Sequence, residues 1–176
     1  HAPSGIKEKL SDLGFEIFSL KPDERLPLPI RSHADTLLSV IENKVFLSKE
    51  YADSCEPLSS LLTSLGYDVV KCECEVGCEY PADIPFNVAI VGKYAFGRFD
   101  FVADEIKHEL VARGYELIDV KQGYAKCSTA IISDNAIITA DGGIAQKAAA
   151  LGIDVLKVSA AEGVIELDGY GYGFIG

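Results

Sequence analysis

Four residues of this sequence carry side chains that could cooperate in chemistry on a cation. Cys127 offers a thiol nucleophile, His33 can carry a proton, and Asp35 and Asp83 offer carboxylates. A thiolate attacks electron-poor carbon, and a carboxylate holds a guanidinium through two parallel hydrogen bonds. His33 and Asp35 are two residues apart, but Asp83 and Cys127 lie far from them along the chain, so their cooperation depends on a fold that brings them together.

A recurring unit in the sequence predicts such a fold. Four apolar helical stretches each end at a glycine that an apolar–acidic–apolar strand follows, at Gly14, Gly66, Gly114 and Gly152. A helix C-terminus favours a left-handed residue, which glycine adopts without steric cost. Three of the helices follow a pair of short apolar runs around an Asn, Asp or Gly turn, which is typical of a hairpin. The repeated unit is therefore ββαβ.

These units predict an α/β-propeller, a single domain over residues 1–176 with blades arranged in a ring around a central axis. A ββαβ unit cannot bury both faces of its sheet alone, whereas a ring of units buries helices outside and first strands inside. The chain has no methionine and ends in a Gly/Tyr run, which predicts a sequence cut at both ends. The expected blades are a helix–strand half at 4–20, full blades at 33–78, 83–122 and 126–160, and trailing strands at 164–176, beginning near Val164.

The hairpin turns place three of the candidate residues at one position of successive blades. Asp35, Asp83 and Cys127 each precede the turn of their blade by eight or nine residues. In a ring, the starts of the first strands converge on the axis, and strand alternation places another polar residue beside each of the three. We expect Cys127, His33 and Asp83 to be catalytic. The expected substrate-binding residues are Asp35, Asn87 and Thr129.

Each candidate also has an ordinary structural interpretation. Cys127 opens an apolar strand and could be a small core residue. Asp35 and Asp83 could cap strand starts by accepting hydrogen bonds from loop amides, and His33 could simply be exposed. Nearby carboxylates would also raise the pKa of the Cys127 thiol, so activation requires positive charge from His33 or from the ligand.

Two further motifs are assigned to packing rather than to chemistry. Cys72, Cys74 and Cys78 lack the second pair of ligands that a zinc site needs, so we expect core packing and no metal. The run at 169–173 lacks the spacing and the lysine of a phosphate-binding loop. We expect closely packed backbone near the ring axis there.

The charge balance limits the partners. A net charge of −11 argues against a nucleic-acid groove and against an anionic membrane surface, and it suits a small cationic ligand as well as it suits solubility. The sequence contains no apolar run of about 20 residues, the length of a membrane span. Five cysteines are an odd number and few for a disulfide scaffold, which predicts reduced thiols in a cytoplasm. The oligomeric state stays open.

A resemblance to a known family rests on the motifs HAD (His33–Asp35), YPADIPFN (Tyr80–Asn87), QGYAKCST (Gln122–Thr129), ITADGGIA (Ile138–Ala145) and GYGYGFIG. These motifs resemble an uncharacterised bacterial family that is similar to the pentein superfamily of guanidine-modifying enzymes. The resemblance covers essentially the whole chain. It implies a five-bladed α/β-propeller that uses no cofactor. It also implies attack on a guanidinium carbon by Cys127, with a histidine assisting and with Asp35 and Asp83 binding the cation.

The chain departs from that superfamily in two respects. The superfamily's cysteine lies near the C-terminus, whereas a helix and two strands are expected after Cys127, and the mid-chain histidine, His108, lies on a helix face. The superfamily also has a non-catalytic branch, a translation factor. Two hypotheses therefore stand: a cysteine-dependent hydrolase or transferase acting on a guanidino or amidino group, and a non-catalytic binding or scaffold propeller.

Overall fold

The computed structural model describes residues 4–159, 167–170 and 173–176, and these residues contain three sheets of one design. In each sheet two strands form an antiparallel hairpin, and a third strand returns parallel to the second after a helix. The strands are β1 (Leu38–Ile41), β2 (Lys44–Ser48), β3 (Asp68–Cys72), β4 (Ala89–Val91), β5 (Tyr94–Gly97), β6 (Glu116–Asp119), β7 (Thr129–Ser133), β8 (Ala136–Thr139) and β9 (Asp154–Lys157).

The described helices are short and end where the sequence predicts. Gly66 and Gly114 follow two of them with φ of +88° and +82°, a conformation in which a Cβ would be strained. No helix in the described part of the chain is long and apolar enough to cross a membrane. The helices are α1 (Ser4–Asp12), α2 (Ala34–Leu37), α3 (Lys49–Ser54), α4 (Glu56–Ser64), α5 (Asp104–Ala112) and α6 (Gly142–Ala150).

The core continues from one ββαβ unit into the next. Ile106 and Leu110 of α5 are fully buried and belong to the same cluster as Phe46 of the first sheet. In the same way, Ile144 of α6 packs in a cluster with Phe96 of the second sheet. Each of these helices therefore covers apolar surface of the preceding sheet, which fixes consecutive sheets relative to one another.

The helix–strand half expected at 4–20 forms only its helix. Residues 15–20 contain no strand, and Leu13, Phe15 and Phe18 are exposed. A strand needs a neighbour to pair its amides, and no described residue pairs with this stretch in a sheet, so the predicted strand was wrong. The trailing strands expected at 164–176 fall partly outside the described residues, at 164–166 and 171–172. The described residues 167–170 and 173–176 contain no strand.

The first strands begin later than the sequence predicted. Residues 34–37 form α2, so β1 starts at Leu38 rather than at residue 36, and Asp83 lies in a turn well before β4. Cys127 also lies in a turn, two residues before β7. Asp35, Asp83 and Cys127 therefore do not occupy one equivalent position, and strand alternation does not set the directions of their side chains. The expectation of a common register was wrong.

Candidate functional site

Three of the predicted residues converge on one point. The Cys127 sulfur lies 3.9 Å from His33 Nδ1. One donor atom each from His33, Asp35 and Cys127 lies within 4.8 Å of the other two. Cys127 is fully buried, whereas His33 and Asp35 are half-buried. The turn before β7 and the start of α2 thus bring a thiol, an imidazole and a carboxylate into one cluster, which we call the Cys127 cluster.

The side chain of Asn87 holds this cluster together. Its Nδ2 donates to the Cys127 sulfur at 2.9 Å and to the backbone oxygen of Asp35 at 3.0 Å. Its Oδ1 accepts from the backbone amides of Lys126 at 2.7 Å and Cys127 at 3.2 Å. These four bonds use both donors and both lone pairs of the carboxamide. Asn87, predicted to bind substrate, is therefore engaged by the protein itself.

Burial dominates the electrostatics of the thiol and the imidazole. It raises the pKa of Cys127, and Asp35 raises it further, while the Asn87 hydrogen bond and Lys126 act in the opposite direction. Burial also lowers the pKa of His33, which Asp35 opposes and Lys126 reinforces. Both groups are therefore neutral near pH 7 in the ligand-free protein. A thiolate forms only when positive charge is added beside the sulfur.

Lys126 is a site residue that the sequence analysis missed. Its ammonium lies 3.5 Å from Asp35 Oδ2, and both side chains are partly exposed. Lys126 could have been identified from the sequence because it directly precedes a candidate nucleophile, and a tight turn directs neighbouring side chains towards the same region. In the ligand-free protein, Asp35 is thus already paired with a cation.

Asp83 lies in a second cluster rather than beside the sulfur. Its Oδ2 accepts a hydrogen bond from the Tyr124 hydroxyl, and its Oδ1 has no partner among the described residues. Burial raises the pKa of Asp83. The Tyr124 and Tyr170 hydroxyls are 3.3 Å apart, and Phe174 packs on both rings. Tyr124, also missed by the sequence analysis, joins Asp83 to this aromatic cluster.

The C-terminal segment closes over the Cys127 cluster. The Phe174 ring meets the His33 ring edge-on, with centroids 4.5 Å apart. The amides of Ile175 and Gly176 donate to the Cys127 carbonyl at 2.8 and 3.0 Å. A Cβ at Gly176 would collide with the backbone oxygens of Lys126 and Thr129. The close backbone packing expected for 169–173 is absent at Gly169, where an added Cβ would meet no described atom, and residues 171–172 lie outside the described part of the chain; the tight packing is at Gly176 instead.

The remaining predicted residues have structural surroundings. Thr129 begins β7, is buried, and its hydroxyl has no partner among the described residues. Cys72 and Cys74 pack in the first core, and burial raises the pKa of Cys74 to about 12, so the packing prediction is confirmed for both. It was wrong for Cys78, which is exposed because the chain leaves the sheet after β3.

The Cys127 cluster has donor types that zinc accepts, namely an imidazole nitrogen, a thiol and a carboxylate. In this structure the Lys126 ammonium pairs with the carboxylate and the Asn87 amide donates to the sulfur. A metal ion would have to replace both.

Comparison with solved structures gives the class of the fold. An amidinotransferase of the saxitoxin pathway from Microseira wollei matches with a TM-score of 0.52 at 11% identity, over 88% of this chain and 53% of that one. A dimethylarginine dimethylaminohydrolase adduct matches at 0.45 and 16% identity, over 69% of this chain and 48% of that one. The Pseudomonas aeruginosa enzyme of that type, in complex with citrulline, matches with a TM-score of 0.43 at 14% identity, over 78% of this chain and 72% of that one.

The chain is thus a mixed α/β protein whose fold is similar to that of the amidinotransferase, as its motifs predicted. It belongs to a family of unknown function, DUF6873, which matches residues 1–176. No curated protein sequence matches the chain. The chain spans about half the length of two of the similar structures, at 48% and 53%.

Docking of the C-terminal segment gives a testable prediction. Gly176→Ala places a Cβ against two backbone oxygens and should lower the free energy of unfolding by about 1–3 kcal/mol, typical of overpacking. It should also speed the modification of Cys127, because the segment that covers the cluster is displaced. Urea unfolding and mass-spectrometric thiol labelling measure both effects.

Gly5→Ala is the matched control, because no atom lies near the added methyl there. If the two variants show the same stability and the same labelling of Cys127, the C-terminal segment does not rest on the cluster in solution.

Proposed function

We propose that this chain provides the catalytic cluster of a cysteine-dependent hydrolase or transferase that acts on a guanidino or amidino group. Cys127 is the nucleophile, His33 carries the proton and Asp35 binds the cation. The observation that carries the proposal is the convergence of these three groups within 4.8 Å. It is supported by a fold similar to that of an amidinotransferase.

The reaction begins when a substrate guanidinium pairs with Asp35. The added positive charge lowers the pKa of the neighbouring thiol, and the Cys127 proton passes to His33 Nδ1. The thiolate attacks the central carbon, forming a carbon–sulfur bond, and the carbon–nitrogen π electrons move to nitrogen. Protonated His33 then gives its proton to the leaving amine as that carbon–nitrogen bond breaks. The amidino group remains attached to Cys127 through sulfur.

The second half-reaction releases the enzyme. Water in a hydrolase, or an acceptor amine in a transferase, adds to the amidino carbon while His33 takes its proton. The carbon–sulfur bond breaks and its electron pair returns to Cys127 as thiolate, which regains the proton from His33. Atoms and charge balance without a metal or a redox cofactor.

The other predicted residues support this chemistry from outside the reacting atoms. Asn87 positions the sulfur and the Asp35 segment through its four hydrogen bonds. Asp83, predicted to be catalytic, acts through Tyr124 and the aromatic cluster that faces His33. Thr129, predicted to bind substrate, has a buried hydroxyl without a partner among the described residues, and it acts by packing beneath the turn that carries Cys127.

The wider setting is a five-bladed α/β-propeller, of which the three ββαβ units are blades of one domain. The cores shared between consecutive units support this arrangement. A cytoplasmic location agrees with all five cysteines being free thiols. A net charge of −11 favours a small cation over nucleic acid or an anionic membrane. A non-catalytic scaffold gives no reason for a buried thiol, an imidazole and a carboxylate to converge.

Labelling with 2-chloroacetamidine, an amidinium electrophile, tests the cation site. Cys127 should react and methylguanidinium should protect it. Asp35→Asn should slow the reaction about tenfold or more, the value of a charge-assisted hydrogen bond of about 1.5–3 kcal/mol. The reaction of Cys127 with neutral iodoacetamide should not become slower in Asp35→Asn, because this reagent does not pair with the carboxylate. Mass spectrometry of the Cys127 peptide gives the rates.

Exposed Cys78 in the same sample is the internal control, and EDTA should change nothing. If Cys127 reacts with the amidine no faster than Cys78 does and is unprotected by methylguanidinium, the proposed function fails.

The pH dependence of this reaction follows from the raised pKa of Cys127. A thiol of raised pKa is protonated over most of the neutral range, so iodoacetamide labelling should keep rising with pH beyond pH 9, where a free thiol of pKa about 8.5 levels off. Bound methylguanidinium lowers the pKa of the Cys127 thiol and should move the deprotonation of the thiol towards neutral pH. The difference absorbance of the thiolate near 240 nm measures this shift. A plateau below pH 8 without ligand would contradict the neutral resting state.

A further inference from the structure

A cavity of about 240 Å³ opens beside the cation subsite at Asp35. Its volume corresponds to about eight water molecules at about 30 Å³ each in the liquid, room for a chain of a few carbons. The inner strands of all three sheets and the segments before them supply its walls. Asp35 and Lys126 are the only charged residues among those that line it, and the apolar walls are Leu38, Val40, Phe86, Val88, Ile90 and Ile131.

The cation subsite at the edge of this cavity is occupied by the protein itself. The Lys126 ammonium lies 3.5 Å from Asp35 Oδ2, with side chains 30% and 21% exposed. A half-exposed ion pair at this distance contributes little to stability and exchanges readily with another cation. A ligand that pairs with Asp35 must therefore displace Lys126.

We propose that the cavity binds the hydrocarbon part of an alkyl-substituted guanidinium or amidinium, and that Lys126 is a displaceable occupant of the cation subsite. The proposal rests on the proposed function and names its substrate class: a cation with an uncharged apolar chain, rather than a free amino acid. Apart from Asp35, Lys126 and Ser39, the described residues that line the cavity are aliphatic or aromatic, so a carboxylate on the chain would lose its water against apolar walls, with the displaced Lys126 as its one cationic partner among them.

The displacement also couples binding to the nucleophile. Lys126 lowers the pKa of Cys127 in the ligand-free protein. When Lys126 leaves its position on Asp35, the ligand cation takes over that electrostatic role. Lys126 is the chain neighbour of Cys127 and stays close to it after displacement, so the ligand adds positive charge beside the thiol and lowers its pKa further.

Calorimetric titration of the wild-type chain with methylguanidinium, butylguanidinium and arginine tests the cavity directly. Each buried methylene should tighten binding about fourfold, so butylguanidinium should bind at least about tenfold more tightly than methylguanidinium. Arginine, whose chain carries a carboxylate and an ammonium, should bind no more tightly than methylguanidinium. This measurement is independent of any reaction at Cys127.

A pair of neighbouring variants locates the alkyl chain. Ile131→Ser should reduce the advantage of butylguanidinium about threefold or more while leaving methylguanidinium binding unchanged, because Ile131 lines the cavity. Ile132→Ser is the matched control, since Ile132 lies next to it on the same strand, is exposed and does not line the cavity. Thermal melts by circular dichroism check that both variants fold.

Lys126→Gln tests the displacement. Removing the competing ammonium should tighten the binding of methylguanidinium and butylguanidinium alike by about fivefold, the scale of a half-exposed ion pair. It should also slow the reaction of Cys127 with neutral iodoacetamide, because Lys126 no longer lowers the pKa of the thiol.

The outcomes separate the inference from the proposed function. If methylguanidinium binds and protects Cys127 but butylguanidinium binds no better, the cavity assignment is overturned and the proposed function stands. If arginine binds as tightly as butylguanidinium and loses that affinity in Lys126→Gln, Lys126 is a carboxylate partner, which overturns both parts of the inference. If no guanidinium binds, the inference and the function it rests on fail together.

Discussion

The hydrogen bonding of one buried carboxamide determines the geometry of the Cys127 cluster. Asn87 is fully buried and contacts the sulfur, two backbone amides of the turn before β7, and the backbone oxygen of Asp35. A buried amide that loses a partner costs free energy, so each of the four bonds reinforces the others. One side chain thereby ties two turns, distant in sequence, at a fixed separation. The distance between thiol and carboxylate follows from that constraint.

Around this constraint, the cluster is arranged to be inert without ligand. Burial favours the neutral thiol and the neutral imidazole, so neither group supplies the charge that would activate the other. Lys126 neutralises Asp35, and the C-terminal segment covers the Cys127 carbonyl and the His33 ring. In the proposed mechanism, a bound cation supplies the free energy needed to form the thiolate, which would restrict activation to that class of ligand.

The sequence predicted the repeated units well, because their signals are local. Glycines at helix ends and Asn, Asp or Gly turns between apolar runs specify ββαβ without long-range information. The strand expected after Gly14 is different, since a strand also requires a partner, and no described neighbour pairs with residues 15–20. Helical periodicity is sufficient to predict α1, but its apolar side chains, such as Ile6, remain exposed.

The candidate site was predicted by residue type and only partly by geometry. His33, Asp35 and Cys127 do converge, yet they do so from the start of α2 and from a turn rather than from the faces of strands. Asp83 accepts a hydrogen bond from Tyr124, which lies 41 residues further along the chain, and no periodic pattern in the sequence predicts this contact. Lys126 was overlooked because its role depends on the direction of a turn. The spacing of residues along the sequence thus identifies candidates of the right chemical type, whereas the contacts of their side chains decide which of them meet.

The juxtaposition of His33, Asp35 and Lys126 is most directly tested by titrating His33 with NMR in the wild-type chain and in Asp35→Asn and Lys126→Gln. The account predicts a pKa below the ordinary value of about 6.5. It should fall further in Asp35→Asn, because the carboxylate favours the charged imidazole, and rise in Lys126→Gln, because the ammonium opposes it. An ordinary pKa that neither substitution changes would contradict the cluster on which the proposed chemistry rests.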